Sequence, residues 1–334
     1  MSNASIPLRW GVIGLGWVST DFTAPAMIKS PGSKMVACLG SSAAKSQAFA
    51  ERFQVDRAHA TLASLMGDPE VDAVYVATPN ALHREAVLAA AQAGKHVLCE
   101  KPFAMRAEDA REMTEACNNA GVILRVAHQL RLEEVIVRAR EIVQSGRLGR
   151  LAAISLERAS GMPPRTTWRT DVAQSGVVFD VGVHLLDQVQ WISGQRFVEV
   201  SAFTHPDRRL GQPDDQITVL GRLEADCHAV VRATREIGSA ENNLVIEGSK
   251  ATLVTSALRF ADEHVLSVRD SAGTSEERFP ASPNYELQVL AFEAEVQGKR
   301  SLLPSGEECV HTVAVTQAVL ASVAERRVIG IATH

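Results

Sequence analysis

Nothing in this sequence approaches the roughly 20 consecutive apolar residues that cross a bilayer, and no basic, apolar leader precedes Arg9. No membrane span and no secretory route are therefore expected, and Ser2-Asn3-Ala4 reads as a remnant of an expression tag. Cysteine is scarce and scattered. Cys38, Cys99, Cys117, Cys227 and Cys309 are odd in number, with no CxxC and no Cys/His pairing at metal-ligand spacing. That excludes a disulfide scaffold and a zinc site, and predicts reduced thiols in a cytoplasmic protein without a metal. Charge of neither sign collects into runs, and the net charge is only -5, so neither nucleic acid nor a membrane surface is expected as a partner. Internal repeats of about 20–50 residues and low-complexity tracts are also missing, which excludes solenoids.

What is present is length and rhythm. A chain of 334 residues exceeds what one hydrophobic core usually supports, so two domains are expected. From Leu8 to about His128 a short apolar strand alternates with a helix-period segment, the pattern of a parallel sheet covered on both faces. Strands are expected at 9–13, 35–39, 73–77, 96–99 and 123–127. Helices are expected at 43–53, 82–93 and 108–120, with Gly94 and Gly121 as left-handed stops of the last two. After a helix at 133–145 the pattern becomes alternating strands at 152–158, 198–204, 216–223, 228–234, 244–248 and 251–255, then helices at 285–297 and 307–325. The expected fold class is α/β: an N-terminal Rossmann domain with a doubly wound parallel sheet over 6–127, followed by an α+β domain with a large, mostly antiparallel open sheet over 128–334.

Open parallel sheets bind ligands outside the carboxyl ends of their strands, and here each end is chemically distinctive. The first is Gly14-Leu15-Gly16-Trp17-Val18-Ser19. Gly14 permits the tight turn, and Gly16 lets backbone approach a pyrophosphate at the following helix N-terminus. Ser19 stands where a third glycine is usual. The second end is Gly40-Ser41-Ser42-Ala43-Ala44-Lys45, with no carboxylate to hold the ribose hydroxyls of NAD. Two hydroxyls and a lysine one turn away suit a 2′-phosphate, so NADP(H) is preferred and NAD(H) is second; Ser41 and Ser42 equally suit a helix cap. The third end is Thr78-Pro79-Asn80 with His83, where capping and cofactor contact are both open readings. The fourth is Glu100-Lys101-Pro102, whose lysine is poorly placed for an ordinary solvated charge. His128 and Arg131 close the fifth, as cleft or interdomain residues. Further on, Asp180 stands four residues before His184, with Asp187 one turn later.

These residues resemble the Gfo/Idh/MocA oxidoreductases. The likeness is carried by the Gly14-x-Gly16 turn, Ala77-Thr78-Pro79-Asn80 with His83, the run from Gly94 to Pro102, and Asp180-x-Gly182-x-His184 with Asp187. Within that family the chain also resembles the NADPH-dependent 1,5-anhydro-D-fructose reductases, through Arg9-Trp10-Gly11, Ser41-Ser42-Ala43 with Lys45, Asp72-Ala73-Val74-Tyr75-Val76 and Trp168-Arg169. The resemblance implies that Lys45 binds the adenosine phosphate and that Trp168, Arg169 and Tyr285 lie on the cofactor. It implies a sugar, polyol or keto-sugar substrate bound by the second domain, and a homodimer or homotetramer formed through the C-terminal sheet. The chain departs from the subgroup at Ala127, where Asn is usual, and at Ser175-Gly176, where a glycine run is shortened.

The expected reaction moves a hydride between nicotinamide C4 and a carbonyl or secondary alcohol. Lys101 stabilises the charge on oxygen, His184 exchanges the proton, and Asp180 orients the ring or holds a substrate hydroxyl. Glu100 is counted with the cofactor-binding residues. Two alternatives stand beside this reading: a non-catalytic nucleotide-sensing regulator on the same fold, and an aldose or dihydrodiol dehydrogenase.

Overall fold

The computed structural model describes residues 6–159, 171–235, 242–256 and 263–332. Among them the chain divides into two compact units. One comprises the described residues up to Gln129 together with Pro283–Val310, and the other Leu130–Ser282 with the residues from His311 onward.

The first unit is built on β1 (Leu8–Ile13), β2 (Ser33–Leu39), β3 (Arg57–His59), β4 (Ala73–Val76), β5 (His96–Cys99) and β6 (Leu124–Val126). They form one sheet in the order β3-β2-β1-β4-β5-β6, with every pairing parallel. Its central strands are apolar on both faces, and Val74, Tyr75, Val76, Val97 and Leu98 are fully buried, as a sheet covered on both sides requires. The covering helices are α1 (Ala24–Lys29), α2 (Ala43–Phe53), α3 (Leu62–Met66), α4 (His83–Gln92) and α5 (Ala107–Asn119). Gly94 and Gly121 both have φ of +67°, the left-handed stops that their positions predict.

Sequence periodicity placed 128–334 together, but 283–310 packs with the parallel-sheet unit. The reason lies in α8 (Asn284–Val296). Phe292 stacks obliquely on Trp10, with centroids 5.0 Å apart. The neighbouring Glu293 carboxylate accepts from Ser30 Oγ at 2.8 and 2.9 Å and from Ser33 Oγ, which in turn accepts from Trp10 Nε1 at 2.8 Å. Arg125, in the middle of β6, grips Glu295 through Nε at 2.6 Å and through its Nη2. A helix period predicts the helix but not which core receives it.

The second unit starts with α6 (Glu134–Gln144), β7 (Leu151–Ala159), α7 (Val183–Ser193) and β8 (Phe197–His205). It continues with β9 (Gln216–Leu223), β10 (His228–Thr234), β11 (Asn243–Gly248), β12 (Ala251–Ser256), β13 (Glu263–Asp270) and β14 (Gly273–Pro280). After α9 (Gly306–Glu325) a short β15 (Ile329–Gly330) completes a nine-stranded sheet, ordered β14-β13-β12-β11-β7-β10-β9-β8-β15. Only β7 and β10 pair in parallel, so the sheet is mostly antiparallel, as expected. Alternation sets its two faces: Ile154, Leu156, Val219, Val231, Ile246 and Leu253 point into the core, while Phe203, Leu220 and Val254 are exposed. Among the described residues no helix is long and apolar enough to cross a membrane.

The Glu293 cluster yields a stability prediction. Glu293→Ala leaves the Ser30 and Ser33 hydroxyls without their acceptor and should lower the unfolding free energy by about 1–3 kcal/mol. The shift should appear in the urea midpoint at unchanged slope, and Glu293→Gln, which keeps an acceptor oxygen, should cost less.

Candidate functional site

In the parallel sheet all strands run the same way, so their carboxyl ends share one edge. At the end of β1, Gly14 has φ +88°, and a Cβ there would lie 2.4 Å from the carbonyl carbon and oxygen of Ala77. No other residue fits. Gly16 is exposed, and a Cβ on it would meet nothing within 4 Å, so open space lies over the turn where a ligand backbone contact needs it. Ser19, in the third glycine's place, is buried and donates from Oγ to Gly14 O at 2.6 Å, closing the turn with its side chain. Trp17 and Val18 begin the helical run, which passes through a π-helical turn at Ser19–Thr23 before α1. Such turns recur at functional sites. Trp17 is half exposed and meets Phe22 edge-on, and Phe22 stacks on Tyr285 with centroids 4.8 Å apart. Tyr285 thus belongs to the same unit as the turn.

After β2, Ser41, Ser42 and Lys45 are all exposed. Ser42 caps α2 by accepting from Lys45 N–H at 3.3 Å, and Ser46 accepts from Gly40 N–H at 2.8 Å. The capping reading of Ser42 is therefore realised, and the side chains of Ser41 and Lys45 face solvent, open to a phosphate. After β4, Thr78 and Pro79 are half-buried and Asn80 is buried. The Thr78 hydroxyl is buried and has no hydrogen-bond partner among the described residues, a vacancy that fits a bound polar group. His83 is turned inward. Its ring is fully buried, with Nδ1 2.9 Å from Pro102 O and Nε2 3.1 Å from Thr78 O. Burial pushes its pKa down against the pull of those carbonyls. The ring lies between two strand-end turns, within hydrogen-bond reach of both carbonyls, and as a neutral imidazole donates to one of them.

After β5, Glu100 is buried and Lys101 half-buried. Glu100 Oε1 accepts from Tyr75 Oη at 2.7 Å, and Oε2 accepts from Lys101 N–H at 3.3 Å. Burial raises the Glu100 pKa, while the Lys101 charge and the Tyr75 hydroxyl pull it down. All five cysteines are buried, and burial pushes Cys38 up to about 11 and Cys117 up to about 12, which removes them as nucleophiles. The set of an open glycine turn, an orphaned hydroxyl and a lysine on one sheet edge fits a dinucleotide.

In the second unit, Asp180 lies in a π-helical turn (Val178–Gly182) that runs straight into α7, so Asp180 and His184 sit about one turn apart on one helical run. Two residues that the sequence reading did not single out build its start. Asp214 Oδ2 accepts from Val178 N–H at 2.9 Å, and its other oxygen pairs with Arg208. Gly176, the remnant of the glycine run, has φ +110°, and a Cβ there would lie 2.3 Å from Asp214 Oδ1. A third, Arg235 at the end of β10, forms an ion pair with Asp180. The signal for Asp214 was an acidic pair just before a strand; nothing local marked Arg235. His184 is buried. Asp187 is bound by Arg131, with Nε and Nη2 each 2.7 Å from a carboxylate oxygen, and Arg131 also lies over the Trp191 ring. This buried pair gives Asp187 a structural task. His128, likewise buried, belongs to the first unit. Trp168 and Arg169 lie outside the described residues.

The Arg131–Asp187 pair is testable. Removing one partner leaves a buried charge, so Asp187→Ala should cost about 3–5 kcal/mol in thermal unfolding, whereas the paired change Arg131→Met with Asp187→Leu should recover most of it.

Comparisons with known proteins place this geometry. The family model described as an oxidoreductase family with an NAD-binding Rossmann fold, GFO_IDH_MocA, matches residues 8–128. The model of the GFO/IDH/MocA C-terminal domain matches residues 136–254. The chain is 32% identical over 322 residues to a 1,5-anhydro-D-fructose reductase of Ensifer adhaerens, covering 95% of this chain and 96% of that one. It is 28% identical over 246 residues to a trans-1,2-dihydrobenzene-1,2-diol dehydrogenase of Bos taurus, covering 73% and 72%. In fold it is similar to an aldose-aldose oxidoreductase from Caulobacter crescentus complexed with glycerol, with a TM-score of 0.85 at 23% identity over 97% of this chain and 100% of that one.

Proposed function

This chain belongs to the GFO/IDH/MocA oxidoreductase family, and from that premise we propose that it transfers a hydride between NADP(H) and a carbonyl or secondary alcohol of a sugar, polyol or keto-sugar. The observation that carries the reading is a lysine, Lys101, on the same sheet edge as the open Gly14-x-Gly16 turn. The bound nicotinamide supplies or accepts the hydride. The protein's own residues hold the nucleotide and manage the charge on the substrate oxygen.

The pyrophosphate is held by backbone N–H groups at the start of the helical run after Gly16, and Ser41, Ser42 and Lys45 hold the adenosine phosphate. Lys101 stabilises the oxygen on which negative charge develops. His184 gives that oxygen its proton in reduction and removes it in oxidation. Asp180, held by Arg235, orients a substrate hydroxyl or the imidazole. No metal is required, because the ammonium takes the electrophilic role. A cytoplasmic homo-oligomer, joined through the outer sheet face that exposes Phe203 and Leu220, completes the proposal. The dihydrodiol dehydrogenase relative supports a second reading, oxidation of a cyclic diol.

The test follows nicotinamide absorbance with NADPH or NADP⁺ across keto-sugars, aldoses, polyols and cyclic diols. Lys101→Ala should lower kcat by about 100- to 1000-fold with nucleotide affinity retained; undiminished turnover would remove Lys101 from the mechanism. For the nucleotide edge the substitution belongs at Ser41, since a Cβ on Gly40 would crowd Leu15, Lys45 and Ser46 at 3.1–3.2 Å. Ser41→Asp should shift the ratio of NADPH to NADH affinity toward NADH by about tenfold, through repulsion of the 2′-phosphate. A fluorescence titration with both nucleotides reads it.

A further inference from the structure

The chain has two tyrosines, and one of them fills the middle of a strand where phenylalanine would pack equally well. Tyr75 is fully buried in β4. Burying a hydroxyl without partners is costly, yet this one is engaged on both sides. It donates to Glu100 Oε1 at 2.7 Å and accepts from Thr23 Oγ1 at 3.0 Å. Thr23 is itself fully buried and closes the π-helical turn that follows the glycine turn. Two hydrogen bonds thus link the helical run after the glycine turn, through β4, to the carboxylate beside Lys101.

We propose that Tyr75, supported by Thr23, is a positioning residue for Lys101: it fixes the Glu100 carboxylate, whose other oxygen accepts from Lys101 N–H, and so holds the turn that carries Lys101 with a negative charge beside it. The inference rests on the reading that Lys101 acts on the substrate oxygen. A buried carboxylate stays ionised only if hydrogen bonds and an opposite charge offset its lost hydration. The groups facing Glu100 are Tyr75 from β4, Lys101 beside it and Cys99 from β5, and Tyr285 from α8 acts on Tyr75. Burial works toward protonation of Glu100, and the Lys101 charge and the Tyr75 hydroxyl work against it. Without the hydroxyl the carboxylate takes up a proton at higher pH, and the charge opposite Lys101 is then neutralised.

The experiment is an infrared pH titration of ¹³C-glutamate-labelled protein, with Glu100→Gln assigning the band. It is paired with the pH dependence of kcat using NADPH and 1,5-anhydro-D-fructose as probes. Tyr75→Phe keeps the ring and should raise the pH at which the Glu100 band protonates by about one unit, a tenfold change in proton affinity. The acid limb of kcat should move the same way. Thr23→Val should act in the same direction with smaller size. A lower melting temperature with the Glu100 band and acid limb unmoved would overturn the proposal, leaving Tyr75 a packing residue. If Lys101→Ala lost turnover while Tyr75→Phe moved neither readout, only the Tyr75 inference would fall. If Lys101→Ala kept full turnover, the reading beneath it would fail even with the Glu100 band displaced.

Discussion

The contact on which the first unit depends is the approach of two strand ends. Gly14 of the β1 turn lies so close to Ala77 that a single methyl group would reach 2.4 Å from its carbonyl. That approach puts the glycine turn, the Thr78 turn and, through the β4–β5 pairing, the Glu100-Lys101 turn along one edge. Parallel pairing does the rest, because it delivers every strand's carboxyl end to the same side. Ser19 shows how the constraint is met locally: in place of a third glycine, its hydroxyl ties back to Gly14 O.

Burial of charge is the second recurring constraint, and in each unit it is met by pairing near a helix start or strand end. Asp214 caps the turn that carries Asp180 and is itself held by Arg208. Asp187 is held by Arg131, and Glu100 by Tyr75. A buried ion pair is weak evidence for stability. What these pairs supply is orientation: each fixes the backbone or side chain next to a candidate reacting group, the preorganisation that an electrostatic mechanism needs.

Period and punctuation made most of the architecture legible. The helix over 43–53 coincides with α2, and the alternating runs from 198 to 255 fall on β8 to β12. What escaped has physical causes. β14 reads GTSEERFP and is mostly exposed, so no apolar alternation marks it; β3 is a three-residue edge strand. The return of 283–310 to the parallel-sheet unit depends on Trp10, Ser30 and Ser33, more than 250 residues away from α8. At the candidate site the residue types were readable, but partners were not. His83 is a ligand candidate by spacing and a buried strut by contact, and Arg235 becomes visible only once β10 is folded beside Asp180.

The named relatives include both a reductase and a dehydrogenase, and the proposed chemistry explains how one scaffold serves both. An ammonium that stabilises a developing alkoxide lowers the barrier equally in either direction, and an imidazole that donates a proton in one direction accepts it in the other. Direction is then set by the ratio of reduced to oxidised cofactor, and so by which nucleotide the protein selects. In this chain the exposed Ser41, Ser42 and Lys45 follow β2, where no carboxylate stands. In the second unit, Gly176 admits no side chain, because Asp214 occupies the space one would need.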